Sequence, residues 1–72
     1  MTFEYGRLKG RIIEKFGSQK KFAETMGCSE ATITKKLTNS VGFDTEEIVL
    51  WCRTLEIEHE DIPAYFFVLS VQ

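Results

Sequence analysis

The sequence predicts an all-α fold, a compact bundle of about five short helices in a single domain that spans residues 1–72. Apolar residues recur at steps of three and four, as they do on the buried face of a helix. Capping Ser and Asp residues and terminating Gly residues separate these segments at short intervals. With 43% hydrophobic residues and nine aromatic side chains, the 72-residue chain can build one small core without metal or disulfide.

The first three helices follow from local signals. The first is expected over about residues 5–16, where apolar residues are spaced as on one helix face despite two glycines. Gly17 ends this helix and Ser18 caps the second, which is expected over about residues 19–26. The third is expected over about residues 30–38.

Two more helices are predicted after a loop at residues 39–43. Asp44 with Glu47 resembles a capping box, which opens a fourth helix over about residues 45–55. Pro63 can open a short final turn or helix. The apolar stripe of the fourth helix consists of Ile48, Trp51, Cys52 and Leu55.

The spacing within residues 19–37 is typical of a helix-turn-helix. Ala23 lies four positions before Gly27, and Ile33 follows six positions later, which suits two short helices that cross steeply around a tight turn. Gly27 supplies a left-handed residue in the turn, and Ser29 can cap the next helix. A pair of this kind presents its second helix to DNA.

Charge is distributed unevenly, although the formal net charge is only −2. Residues 1–40 hold eight basic and four acidic side chains, a formal charge of +4. Residues 41–72 hold one basic and seven acidic side chains, a formal charge of −6. The basic half coincides with the helix-turn-helix pattern and favours a phosphate-facing surface, although an uneven, merely solvated surface is the alternative.

With these features the chain resembles the Cro and repressor type of helix-turn-helix, the lambda-repressor-like family of phage and bacterial regulators. The resemblance covers essentially the whole chain. Through segments 5–8 and 65–67, the chain is most similar to small phage-associated proteins of low-G+C Gram-positive bacteria. The residues that carry the family pattern are Gln19, Ala23, Gly27, Ile33 and, in the loop after the third helix, Asn39.

The resemblance implies that the third helix is a recognition helix for the major groove of double-stranded DNA. Lys36 stands where the family often has an apolar residue, so we expect a slightly rotated helix in which Leu37 takes the packing role. Glu30 also suits the positive end of the helix for dipole reasons alone. The residues expected to read bases are Ser29, Glu30, Ala31, Thr34 and Lys35. The residues expected to bind phosphate are Gln19, Lys20, Lys21, Lys36 and Asn39.

The predicted function is that of a sequence-specific transcriptional regulator, a phage or prophage Cro or repressor-like protein that occupies an inverted-repeat operator. Because one copy covers one half-site, we expect a homodimer, at least on DNA. Residues 67–71 could form a strand or arm exchanged between subunits, whereas Tyr65 and Phe66 could instead fold back on the core. The residues expected at the dimer interface are Tyr65, Phe66, Phe67, Val68 and Leu69.

A second class of function is a protein-binding adaptor that keeps the helix-turn-helix scaffold. An antirepressor or antitoxin of this kind would use the acidic second half and the aromatic terminus to contact a repressor, a polymerase subunit or a toxin. Positive charge on the recognition side favours DNA without excluding protein contact.

Enzymatic function has the least support. His59 lies in an acidic stretch without a Cys or Ser partner, and no metal-ligand spacing or Gly-rich phosphate loop is present. We expect no catalytic residue, cofactor, metal or small-molecule ligand. Cys28 and Cys52 lack the spacing of a disulfide framework, and no apolar run could span a bilayer, so we expect a soluble, cytoplasmic protein.

Overall fold

The computed structural model describes residues 2–70, and its regular structure consists of helices with one short 3₁₀ turn. This confirms the predicted all-α bundle, and the helix bounds agree with the predicted ones to within a residue or so. None of the described helices is long and apolar enough to cross a membrane. The elements are α1 (Gly6–Phe16), α2 (Gln19–Met26), α3 (Glu30–Leu37), α4 (Thr45–Leu55), the 3₁₀ turn (His59–Asp61) and α5 (Ile62–Phe66).

The helix ends are set by the capping residues that the sequence indicates. Ser18 and Ser29 each accept a hydrogen bond at 3.2 Å from the backbone amide three residues further on. Asp44 and Glu47 form a complete capping box, in which each side chain accepts from the other's backbone amide. Gly27 adopts the left-handed conformation, with φ of 75°, and so ends α2 without the strain of a Cβ.

The core lies where α1 packs against α2, α4 and α5, while α3 packs against α2. Its centre is aromatic. Phe43, in the loop before α4, packs edge-on with ring centroids 4.7 Å from Trp51, 5.2 Å from Phe66 and 5.4 Å from Tyr5. The largest fully buried side chains are Leu8, Ile12, Phe22, Ile33, Leu55 and Phe66.

The two ends of the described chain pair with each other through a single antiparallel bridge between Phe3 and Leu69. The Glu4 amide donates to the Val68 carbonyl at 2.7 Å, and the Ser70 amide donates to the Thr2 carbonyl at 2.9 Å. Residues 68–70 therefore pair within their own chain. Val71, the last residue of the predicted exchanged arm, lies outside the described residues.

Polar contacts join α1 to the end of α4. The Arg11 guanidinium donates to the Leu55 carbonyl at 2.9 Å and to the Glu56 carbonyl at 3.1 Å. Lys15 donates to the Glu56 carboxylate at 2.9 Å, and this hydrogen bond and the charge of Lys15 hold the pKa of Glu56 below its ordinary value. Because the last carbonyls of a helix lack partners within it, Arg11 satisfies two carbonyls at that helix end, while Lys15 pairs with the carboxylate of Glu56.

Candidate functional site

The five predicted base-reading residues are all exposed, at the start of α3 and along it. Two of them have their hydroxyl groups engaged within the fold. The Ser29 hydroxyl caps α3 and lies 3.0 Å from the Thr32 hydroxyl. The Thr34 hydroxyl donates to the Gln19 side-chain oxygen at 3.3 Å, which links α3 to the first residue of α2. Glu30, Ala31 and Lys35 complete the set.

The predicted phosphate contact Lys36 is buried. Its ammonium lies 2.5 Å from the Glu47 carboxylate, donates to the Gly42 carbonyl at 3.2 Å and is 5.4 Å from the centre of the Phe43 ring. Leu37 is partly buried against the core. Lys36 and Leu37 therefore both point inward, whereas the sequence predicts that Leu37 packs in place of Lys36. Lys36 can be buried because the Glu47 carboxylate of α4 neutralises its charge. The ammonium holds the loop before α4 in place.

Asn39, another predicted phosphate contact, holds the N-terminal segment instead. Its side-chain amide donates to the Phe3 carbonyl at 2.8 Å and accepts from the Phe3 amide at 3.2 Å. Asn39 has a φ of 66°, a conformation that Asn tolerates better than most residues. The side chain therefore pairs with Phe3 as the backbone of a neighbouring strand would.

Three predicted DNA contacts retain free cationic groups. Lys20, Lys21 and Lys35 are exposed, and none forms an ion pair within residues 2–70. Each of these lysines on α2 and α3 can attract an anion such as a phosphate by charge alone.

A second surface is apolar and combines Phe3 and Tyr5 with residues from the second half of the chain. A groove of about 290 Å³ opens beside the loop before α4, and we call it the aromatic groove. Two of its side chains are widely accessible, Val41 at 44% and Phe67 at 49% exposure. Its apolar lining consists of Phe3, Tyr5, Val41, Phe43, Ile48, Phe66 and Phe67.

The predicted dimer residues divide between the core and this surface. Phe66 is fully buried and Tyr65 is partly buried against the core, which is the alternative that the sequence left open for both. Phe67, Val68 and Leu69 are exposed and extend the apolar surface beyond the groove. These three of the five predicted residues are therefore the ones most accessible to a partner.

The side chains with potential chemical reactivity differ in their exposure. His59 and Cys28 are exposed, whereas Cys52 is buried in α4, where burial raises the pKa of its thiol. Among residues 2–70, no group of three or more His, Cys, Asp or Glu side chains could hold a metal ion.

Comparison with known proteins gives a family and a structural relative. The family model described as "Protein of unknown function (DUF739)" matches residues 1–68. Among solved structures, the chain is similar to the modulator of repression (MOR) of the temperate bacteriophage TP901-1 from Lactococcus lactis, with a TM-score of 0.81. The two sequences are 42% identical, and the match covers 100% of this chain and 97% of that chain. No curated protein matches the chain.

These matches agree with the predicted resemblance to small phage-associated proteins. They differ from the prediction in the family itself, because the matching model is not one of Cro or repressor proteins, and membership of that group stays a prediction. A match over nearly the whole sequence decides the assignment: the chain belongs to the DUF739 family.

Proposed function

We propose that the chain is a phage regulator that acts by binding a repressor protein, as an antirepressor does. The observation that carries this proposal is the 42% identity over the full chain to the phage modulator of repression. It favours the protein-binding interpretation over the predicted occupation of an operator by this chain itself. Such a function needs no cofactor, metal or catalytic residue.

The geometry of the predicted DNA face supports this choice. A DNA-binding surface needs side-chain donors that are free to reach phosphates and base edges. Here the Asn39 amide donates to the backbone of Phe3, and the Lys36 ammonium is neutralised by its contact with α4. Two of the five predicted phosphate contacts, Lys36 and Asn39, thus have donors engaged in the fold.

The aromatic groove with residues 67–69 is the proposed contact surface. Binding energy at protein interfaces concentrates in a few aromatic and other large side chains that fill pockets on the partner. Phe67 is half exposed and packs edge-on against Phe3, with ring centroids 5.9 Å apart, so it is held in place while it remains accessible. It is the candidate anchor.

Charge supports a repressor as the partner. The exposed acidic residues Glu58, Glu60 and Asp61 lie in and beside the 3₁₀ turn that leads into α5. A repressor's DNA-binding surface carries positive charge to meet phosphate, so an acidic half of −6 attracts it and repels the duplex. Occupation of that surface would release the operator.

The test is an operator-release assay. Fluorescent operator DNA is bound by the repressor encoded in the same genome, and the purified chain is added while anisotropy is followed. We expect release of the operator, and Phe67→Ala should weaken it by about 30-fold, as loss of an interface anchor does. Ile13→Ala is the matched control, because Ile13 is similarly exposed but lies on α1.

The proposal fails if the chain leaves the repressor on its operator at saturating concentration. It also fails if Phe67→Ala and Ile13→Ala behave alike.

DNA binding is the second candidate. It is favoured by Lys20, Lys21 and Lys35, which form no ion pair with any described residue. For this function, loss of Lys20 or Lys21 should weaken binding to all duplexes and reduce the salt slope by about 1. Lys35→Ala should relax preference at one base position. Enrichment of an inverted repeat from random duplexes by the chain alone would support this candidate over the first.

A further inference from the structure

Helix α4 has an apolar surface on two opposite sides. Its inner stripe packs in the core, whereas Val49 and Leu50 lie on the outer side with 44% and 50% of their surface exposed. With Thr45, Glu46 and Arg53 they line a shallow groove of about 240 Å³. At about 100° per residue, Glu46, Val49, Leu50 and Arg53 fall within a sector of about 100°. These four residues form what we call the α4 outer face.

The charges on this face are arranged symmetrically about its apolar centre. Glu46 lies three residues before Val49, and Arg53 lies three residues after Leu50. Both charged side chains are exposed, and neither forms an ion pair in the described part of the chain. The face therefore offers one negative end, one positive end and an apolar middle.

We propose that the α4 outer face binds a second copy of this chain. When two α4 helices cross antiparallel about a two-fold axis between Val49 and Leu50, each Glu46 meets the Arg53 of the other copy. The apolar side chains then pack on their counterparts. The opposite charges also lie at the same height. At about 1.5 Å per residue, Glu46 and Arg53 each lie about 5 Å along the helix from the two-fold axis.

This contact leaves the aromatic groove accessible. Within α4, the groove takes its lining from Ile48, which points away from the outer face. A dimer built in this way has two aromatic grooves. The consequence for repressor binding that follows rests on the proposed function. Two linked grooves would bind a dimeric repressor more tightly than one groove does, through the raised effective concentration of the second site.

The association should be weak. A single pair of 11-residue helices buries less than the roughly 1,000 Å² that a stable interface needs, so the monomer should predominate in dilute solution. The dimer should appear as the concentration rises from about 10 μM to about 1 mM, the range in which such small contacts form.

Charge reversal gives a sharp test, followed by sedimentation equilibrium. Glu46→Arg and Arg53→Glu each turn both cross-pairs from attraction to repulsion, and each should weaken self-association by about tenfold or more. An equimolar mixture of the two variants should restore association. Positions 46 and 53 are then both positive in one copy and both negative in the other, so both cross-pairs attract. Glu24→Arg, an exposed reversal on α2, is the control and should change nothing.

Three results would overturn the proposal: a monomer throughout the concentration range, association that survives either reversal, or no recovery in the mixture. Amide shifts on the α4 outer face that follow added repressor but not chain concentration would assign this face to the repressor instead.

Operator release is measured on the same variants. Release by variants that stay monomeric would separate the repressor contact from self-association, so either idea can fail alone.

Discussion

The two halves of the chain use their side chains in opposite ways. On the predicted DNA face of the first half, the donors of Lys36 and Asn39 are engaged within the fold. In the second half the fold leaves apolar side chains exposed to solvent. Among residues 2–70, six of the seven large exposed apolar residues lie after residue 40, Val41 and Phe67 among them. The helix-turn-helix spacing thus specifies how the helices pack. The apolar side chains that stay exposed indicate which surface contacts a partner.

The largest expected effect separates two phenylalanines of the aromatic groove. Phe43 packs against Trp51, Phe66 and Tyr5, so Phe43→Ala should lower the free energy of unfolding by about 3 kcal/mol. Phe67 is half exposed, and its loss should cost about 1 kcal/mol or less. Urea denaturation measures both variants.

Equal destabilisation by the two substitutions would contradict the assignment of Phe43 to the core and of Phe67 to the accessible surface of the groove. Operator release by Phe67→Ala is the companion measurement, because that variant should fold and yet bind poorly.

A smaller effect separates two adjacent lysines of the first half. Lys36→Ala removes the contact with Glu47 and the donor to the Gly42 carbonyl, so it should lower stability by about 1–2 kcal/mol. Lys35→Ala should change it by no more than about 0.5 kcal/mol, since that side chain is exposed. Thermal unfolding of both variants checks this. Similar values for the two would mean that the ammonium of Lys36 does not hold the loop.

The smallest effect concerns pH. Lys15 lowers the pKa of Glu56 in the folded state, so the pair stabilises the fold above the ordinary pKa of a glutamate. That contribution is lost as pH falls through the lowered pKa. Lys15→Met should return the pKa of Glu56 towards its ordinary value, and NMR titration of its side-chain carboxyl carbon measures the change. An unaltered titration curve would show that the ion pair does not persist in solution.

The sequence predicts the helices well because their signals are local. The capping residues Ser18 and Asp44 and the left-handed Gly27 each act within a few residues of themselves. The sequence does not predict the 3₁₀ turn or the burial of Ile57, since neither has a clear periodic signal. Phe43 lies in the predicted loop, but its place among core aromatics depends on neighbours from other elements, which the sequence does not indicate.

The candidate site was harder to predict than the fold. The Asn39 side chain forms hydrogen bonds with the backbone of Phe3, 36 residues away, and no pattern in the sequence predicts that pairing. Lys36 is buried because Glu47 of α4 lies opposite it, a contact between two elements. The exposure of Phe67 and the burial of Phe66 follow from where α5 ends. Long-range contacts therefore decided which of the predicted residues remain available.

The most direct test of a protein-contact function is an NMR titration of the ¹⁵N-labelled chain with its repressor and, separately, with operator duplex at near-physiological salt. We predict that the repressor shifts amides at residues 41–43 and 67–69, while the duplex alone leaves the amides of residues 29–35 unchanged. Saturable shifts along residues 29–35 with the duplex, and none at the aromatic groove with the repressor, would contradict the account.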